Sequence, residues 1–347
     1  MSVKLFSVCS GIGGAELGFE NANIPFKSVG CSEIDKYAKS IFNYHYPEIY
    51  NYGNIKEINP KDIDDFDILI GGFPCQAFSL AGKLGGFEDS RGTIFYDILN
   101  ILKECKPKYV LLENVKNLLS HDHGNTFKVI LNSLVSLGYD VYWDVLNSKY
   151  FGVPQNRERV YIRCILKDNE KLPLFNNITF DSYSNNINKN YKQLNELGNV
   201  YPSNHHNGKV YDVLGIGPTL TCSNANETKI GYKIRNNTKQ KYKIANNFDG
   251  INISFATNNH RRGRVIKNRS GTLLTTNHWA TIDENNRFRK LTPMECERLQ
   301  GLPDDYTKYG LVDDKIKEIS NTQRYRCIGN GFTINVIGYI LNNGFNF

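Results

Sequence analysis

With 347 residues the chain is long for one compact domain and comfortable for two, and its 40% hydrophobic content suffices for a sizeable core. No apolar run approaches the roughly 18 residues of a membrane span, and no cleavage signature follows Met1-Ser2-Val3-Lys4, so a cytoplasmic protein is expected and a membrane protein excluded. The net charge of +7 is uneven: between Lys229 and Arg269 stand eleven Lys and Arg against the single acid Asp249, which suits a phosphate-facing surface.

In chain order, Lys4–Val8, Lys27–Cys31, Ile68–Gly71 and Tyr109–Leu112 are short apolar runs that end in glycine, acidic or turn residues. Helical patterns at Tyr37–Tyr44 and Phe95–Leu102 lie between them, and a further helix is expected after Gly14. That order predicts an α/β fold with a doubly wound, mostly parallel sheet. Asp140–Leu146 and Arg159–Ile165 alternate in two-residue steps, which predicts an added antiparallel pair joined by the Gly152-Val153-Pro154 turn. After Lys167 the character changes. Asn176–Asn190 is polar and aperiodic, a linker, and the stretch to Asn286 is rich in Asn, Thr, Gly and basic residues, a smaller irregular β-rich domain. Inside it, Gly217-Pro218-Thr219-Leu220-Thr221 recurs weakly as Gly271-Thr272-Leu273-Leu274-Thr275. Pro293–Gln300 and Phe332–Leu341 then read as helices, the last returning to the first domain. The resulting division is 1–175, 176–317 and 318–347.

The first strand closes on Cys9-Ser10-Gly11-Ile12-Gly13-Gly14, glycines that let the backbone approach a ligand at a helix N-terminus. Glu33 follows the second strand, where a carboxylate can accept both hydroxyls of a ribose. Glu16 occupies the position of the third glycine of a dinucleotide fingerprint, which points to a nucleoside cofactor without phosphates, such as S-adenosylmethionine. The third strand stops at Gly71-Gly72 and delivers Phe73-Pro74-Cys75-Gln76-Ala77-Phe78-Ser79 into a glycine-rich loop at the same sheet edge. A lone cysteine is usually a small buried residue. Cys75 is singled out because a thiol at a glycine-flanked strand end can attack an electrophilic carbon as thiolate. Glu113, after Leu111-Leu112, is either a helix cap or a proton donor to a heteroaromatic ring. Arg157 and Arg159 alternate, so both point one way from an extended chain. The eight cysteines include no CxxC pair, so neither a disulfide framework nor a metal site is expected.

Together these segments resemble, in order from residue 5 to residue 341, the C5-cytosine DNA methyltransferases. Phe73 to Ile98 is similar almost residue for residue to enzymes of the bacterial or phage restriction–modification type. The resemblance implies a Rossmann-like S-adenosylmethionine-dependent methyltransferase fold with a target-recognition domain. It implies a base flipped out of duplex DNA, attack of Cys75 on C6 and methyl transfer to C5, with Glu113 at the cytosine N3 and Arg159 and Arg157 beside it. Cofactor contacts are implied for Cys9, Gly11, Ile12, Gly13, Gly14, Glu33, Ile34, Asn54, Ile55, Pro74, Ile94, Asn330 and Gly331. DNA contacts are implied for Gln76, Ser79 and Arg91, and for one of the Thr-Leu pairs, Thr219-Leu220 or Thr272-Leu273. The basic window adds Arg261, Arg262 and Arg264. The partner is double-stranded DNA, the expected state a monomer, and a cognate restriction endonuclease would act on the same site.

Three departures stand out. Cys9 replaces the family's usual aromatic, Asn54 stands where an acid is common, and Gly331-Phe332 where a small residue and valine are common. The nearest rivals are a tRNA cytosine-5 methyltransferase of the same family and an inactive DNA-binding paralogue. The loop wording disfavours the first, and the presence of Cys75, Glu113 and Arg159 the second. Amino-methylating DNA enzymes need a Pro-Pro motif that the chain lacks.

Overall fold

The computed structural model describes residues 2–74, 94–167, 196–199, 209–211, 232–235, 242–253, 265–275, 279–283 and 288–347. Its first half contains β1 (Val3–Val8), α1 (Gly14–Ala22), β2 (Phe26–Ser32), α2 (Lys36–His45), β3 (Ile68–Gly72), α3 (Ile94–Cys105), β4 (Tyr109–Val115), α4 (Asn125–Ser136), β5 (Tyr139–Asn147), β6 (Gln155–Asn156) and β7 (Glu158–Leu166). Six of these strands form one sheet in the order β2-β1-β3-β4-β7-β5. The first four are parallel, and β7 runs antiparallel to both β4 and β5, as the alternating pattern predicts. Helices cover both faces, so β1, β3 and β4 read as nearly continuous apolar runs.

Strand order reverses between β1 and β3, and in open α/β sheets the ligand crevice lies outside the carboxyl ends at such a switch. Register brings the motifs level there: Val8 is opposite both Ser32 and Gly71, and Gly72 is opposite Glu113. Asp35 then starts α2 by accepting the N–H groups of Tyr37 and Ala38, which fixes the turn carrying Glu33 and Ile34.

The second half contains short strands β8 (Glu196–Asn199), β9 (Lys209–Tyr211), β10 (Tyr232–Arg235), β11 (Tyr242–Ala245), β12 (Gly250–Asn252), β13 (Val265–Ile266), β14 (Ser270–Gly271), β15 (Trp279–Ile282) and β16 (Phe288–Lys290). They form small sheets, the largest in the order β13-β12-β15-β16. Helix α5 (Pro293–Gln300) opens with a capping box between Thr292 and Glu295. The hairpin β17 (Tyr309–Val312) and β18 (Lys315–Glu318) follows, then α6 (Asn321–Asn330) and α7 (Ile334–Gly344).

Two apolar clusters tie this half to the first. Ile337, Ile340 and Leu341 of α7 pack with Ala15 and Phe19 of α1, so the last helix does return to the sheet. Leu273, Trp279, Leu291, Leu299, Leu302, Tyr306 and Ile328 pack with Ile12, Leu17 and Ile41. Helices α4 and α6 add to the expected set. Helix α7 begins at Ile334 rather than Phe332, because Thr333 is its extended N-cap residue. No helix among the described residues is long and apolar enough to cross a membrane.

Candidate active site

The glycine loop after β1 and the loop after β2 are joined by one carboxylate. Glu33 accepts the Gly11 N–H at 2.8 Å with Oε2 and the Asp35 N–H at 2.7 Å with Oε1. Burial raises its carboxyl above the ordinary value, against the N–H groups of Gly11 and Ile34 and nearby Arg326, which lower it. Ser32 donates to the Gly53 carbonyl at 2.8 Å, bringing a third loop to the same edge. Gly11 and Gly53 have positive φ, +58° and +74°, and a Cβ on either would meet nothing within 4 Å. The backbone there borders an open cradle that a flat ligand can approach closely. Ile34 stands beside it 70% exposed, an apolar side chain with a face to cover.

The buried polar atoms without a partner among the described residues include Asn51 Nδ2, whose Oδ1 accepts from Glu33 and Gly53 N–H groups, and Asp97 Oδ2 on α3. Open backbone, a ribose-height carboxylate, an uncovered apolar flank and orphaned polar atoms fit a nucleoside cofactor. Asn54 lies on the same edge, after Gly53. Its amide closes a local turn, accepting from Lys56 N–H at 3.3 Å and donating to Glu57 at 3.0 Å. Ile12 and Ile55 are buried, Ile94 and Gly331 half-buried, Pro74 and Asn330 exposed, and Gly13 and Gly14 start α1. Cys9 is half-buried, and burial with Glu33 and Asp97 nearby pushes its thiol up to about 12.

At the end of β4, Arg159 Nε donates to Glu113 Oε1 at 3.0 Å, with both side chains only 13% exposed. Glu113 lies within the strand, opposite Gly72 and Tyr161, so it is not a helix cap. Beside it Asn114, which the motif reading passed over, donates to the Phe73 carbonyl at 2.7 Å and accepts the Val115 N–H at 2.8 Å. It thereby holds the last stretch of chain before Pro74-Cys75. Its signal was present in the Glu-Asn pair, but its partner could be found only in three dimensions.

Arg157 does not share the Glu113 pair. It is buried and donates to the carbonyls of Leu273, Gly329 and Gly331, at 3.3, 3.2 and 2.9 Å. Burial, with Arg159 close by, brings its guanidinium down to about 10. The alternation that aligned the two arginines fails because β6 ends at Asn156, before β7 begins. Gln155 completes this clasp: it donates to Leu299 O and Gln300 Oε1 and accepts the Leu273 N–H.

Leu273 is therefore not at a DNA surface. It is buried in the core, because β14 pairs with β6 and draws the following Thr-Leu pair inward, while Thr272 stays exposed and donates to Asn156 O. Lys267, inside the basic window, is bonded to buried Asp249 at 2.7 Å. Cys75, Gln76, Ser79, Arg91, Thr219, Leu220, Arg261, Arg262 and Arg264 lie outside the described residues. The six described cysteines all have thiols raised mainly by burial, so none of them is an activated thiolate. Among the described residues no group of three His, Cys, Asp or Glu could hold a metal ion.

The orphan methyltransferase M.SPRI of Bacillus phage SPR is 30% identical across 96% of this chain and 95% of its own length. The type II methyltransferase M.HhaI of Haemophilus parahaemolyticus is 33% identical across 98% and 94%. A crystal structure of a Spodoptera frugiperda DNMT2 mutant matches with a TM-score of 0.59 at 18% identity, covering 98% of both chains, a likeness of fold. A family model described as C-5 cytosine-specific DNA methylase matches residues 3–346, and the chain belongs to that family.

Proposed function

We propose that the chain is a DNA (cytosine-5-)-methyltransferase that flips a cytosine out of duplex DNA and methylates its C5, in a sequence-specific restriction–modification context. The observation that carries the reading is the half-closed Glu113–Arg159 pair, level with the cofactor cradle at the sheet's switch point. Glu33, Ile34 and the glycine loop would hold S-adenosylmethionine, which supplies an electrophilic methyl on its sulfonium. Flipping costs a few kcal/mol and exposes C6 to Cys75. The Cys75 thiolate forms a bond to C6, and a proton held between Glu113 and the cytosine N3 offsets the charge pushed onto the ring. Arg159 keeps Glu113 in place. After C5 is methylated, loss of its proton lets the bond to Cys75 break and frees the thiolate.

The division into 1–175, 176–317 and 318–347 assigns catalysis, target recognition and closure of the cofactor site. In that scheme the packing of residues 291–306 on Ile12, Leu17 and Ile41 anchors the recognition domain. Thr219-Leu220, Thr272 and Arg261, Arg262 and Arg264 are the candidates for DNA contact, and a cognate restriction endonuclease would act on the same site. Bisulfite sequencing of DNA from a methylation-free host expressing the chain tests the reading. One fixed sequence context carrying 5-methylcytosine is expected. Unmodified DNA with new 5-methylcytosine in tRNA would replace it with the tRNA activity, and neither product with an inactive binding protein.

A further inference from the structure

The turn between α6 and α7 puts an aromatic ring at the junction of the two half-sites. Phe332 lies against the backbone at both: a Cβ on Gly14 would stand 3.1 Å from its Cδ2, and one on Gly72 would stand 3.1 Å from its Cε1. A side chain at either position would crowd the ring and push it aside slightly. The point beside Gly72 is also 3.3 Å from Glu113 Oε2, so ring and carboxylate meet at one place. Phe332 is half-buried and packs against the cluster shared by α1 and α7, which fixes it from behind. It thus stands between the glycine loop, where the cofactor is held, and Glu113, where the base is held. The methyl-bearing sulfur must come to that boundary for its methyl to reach C5.

We propose that Phe332 forms an aromatic wall at the methyl-donor end of the cleft and makes the site prefer a cationic sulfonium to a neutral thioether. The proposal rests on the S-adenosylmethionine reading above. An aromatic ring attracts a cation that lies over its face, within roughly 6 Å of its centre, through its quadrupole, and an aliphatic side chain of similar volume does not. The thioether left after transfer carries no charge and loses this attraction, so the ring favours exchange of product for substrate. The valine common in the family at this position would supply packing alone.

Calorimetry on the full chain, with S-adenosylmethionine and S-adenosylhomocysteine titrated separately, reads the preference without turnover. Phe332→Leu and Phe332→Met keep comparable apolar volume, and each should lower the sulfonium-to-thioether affinity ratio ~3- to 30-fold, mainly through weaker S-adenosylmethionine binding. Phe332→Tyr, which keeps a ring, should hold the wild-type ratio. Equal losses for both ligands, or an unchanged ratio in the Leu and Met variants, would overturn the proposal while leaving the cofactor reading intact. If the wild-type chain binds neither ligand, the cofactor reading fails and the proposal with it.

Discussion

Glu113 and Arg159 face each other across 3.0 Å at a strand end, and in the proposed mechanism their work answers charge that develops on the ring during attack. Glu113→Gln should cut the single-turnover methylation rate ~10²- to 10⁴-fold while changing the DNA dissociation constant far less. Parallel losses in rate and affinity would make Glu113 a structural residue. A second carboxylate carries a pH signature. Glu16 is fully buried, takes one hydrogen bond from Ser7 at 2.7 Å, and has its other oxygen unpartnered. Burial pushes its carboxyl from 4.5 up to about 7. Between those values the folded chain holds a proton that the unfolded chain has released, so stability falls as pH rises through this window. Glu16→Gln should lose that dependence, gaining on wild type from pH 5 to pH 8 by on the order of 3 kcal/mol. Thermal melts at each pH measure the gap, and parallel curves for the two proteins would show that Glu16 does not titrate there.

Among the elements, the clasp formed by Gln155 and Arg157 joins β6 and β14 to the ends of α5 and α6. Arg157→Ala would strip donors from buried carbonyls, and a loss of about 3 kcal/mol or more in stability is expected. Denaturant unfolding of the variant checks this. Wild-type stability combined with lost methylation would instead return Arg157 to the reacting base. The strand-end motifs are legible because a short apolar run, broken by glycine or an acid, announces both the strand and its exit. The inward turn of Leu273 was not legible. A Thr-Leu pair looks the same facing bases or core, and what decides is the Gln155 side-chain oxygen Oε1 that accepts its N–H from 118 positions away. Helix α6, with its polar sequence and few buried residues, offers no apolar stripe to read. Phe332 was visible only as a departure from the family pattern, because its neighbours Gly14 and Gly72 come from two different motifs of the first domain.

For the whole molecule, the sheet's switch point gathers loops from β1, β2, β3 and β4 at one edge, and the second half closes over it through α7 and the clasp. Burial raises the thiols of all the described cysteines, so the proposed attack on C6 falls to a cysteine outside the described residues, and Cys75 follows Phe73, whose carbonyl accepts from Asn114, by two positions in the chain. A duplex carrying 5-fluorocytosine at the target position tests this most directly, because fluorine cannot leave C5 as a proton and the adduct persists. With S-adenosylmethionine present, peptide mapping by mass spectrometry should find the methylated base attached at Cys75, and Cys75→Ser should give no adduct while still binding DNA. An adduct on any other cysteine, or none on a duplex that the chain methylates when it carries ordinary cytosine, would contradict the account.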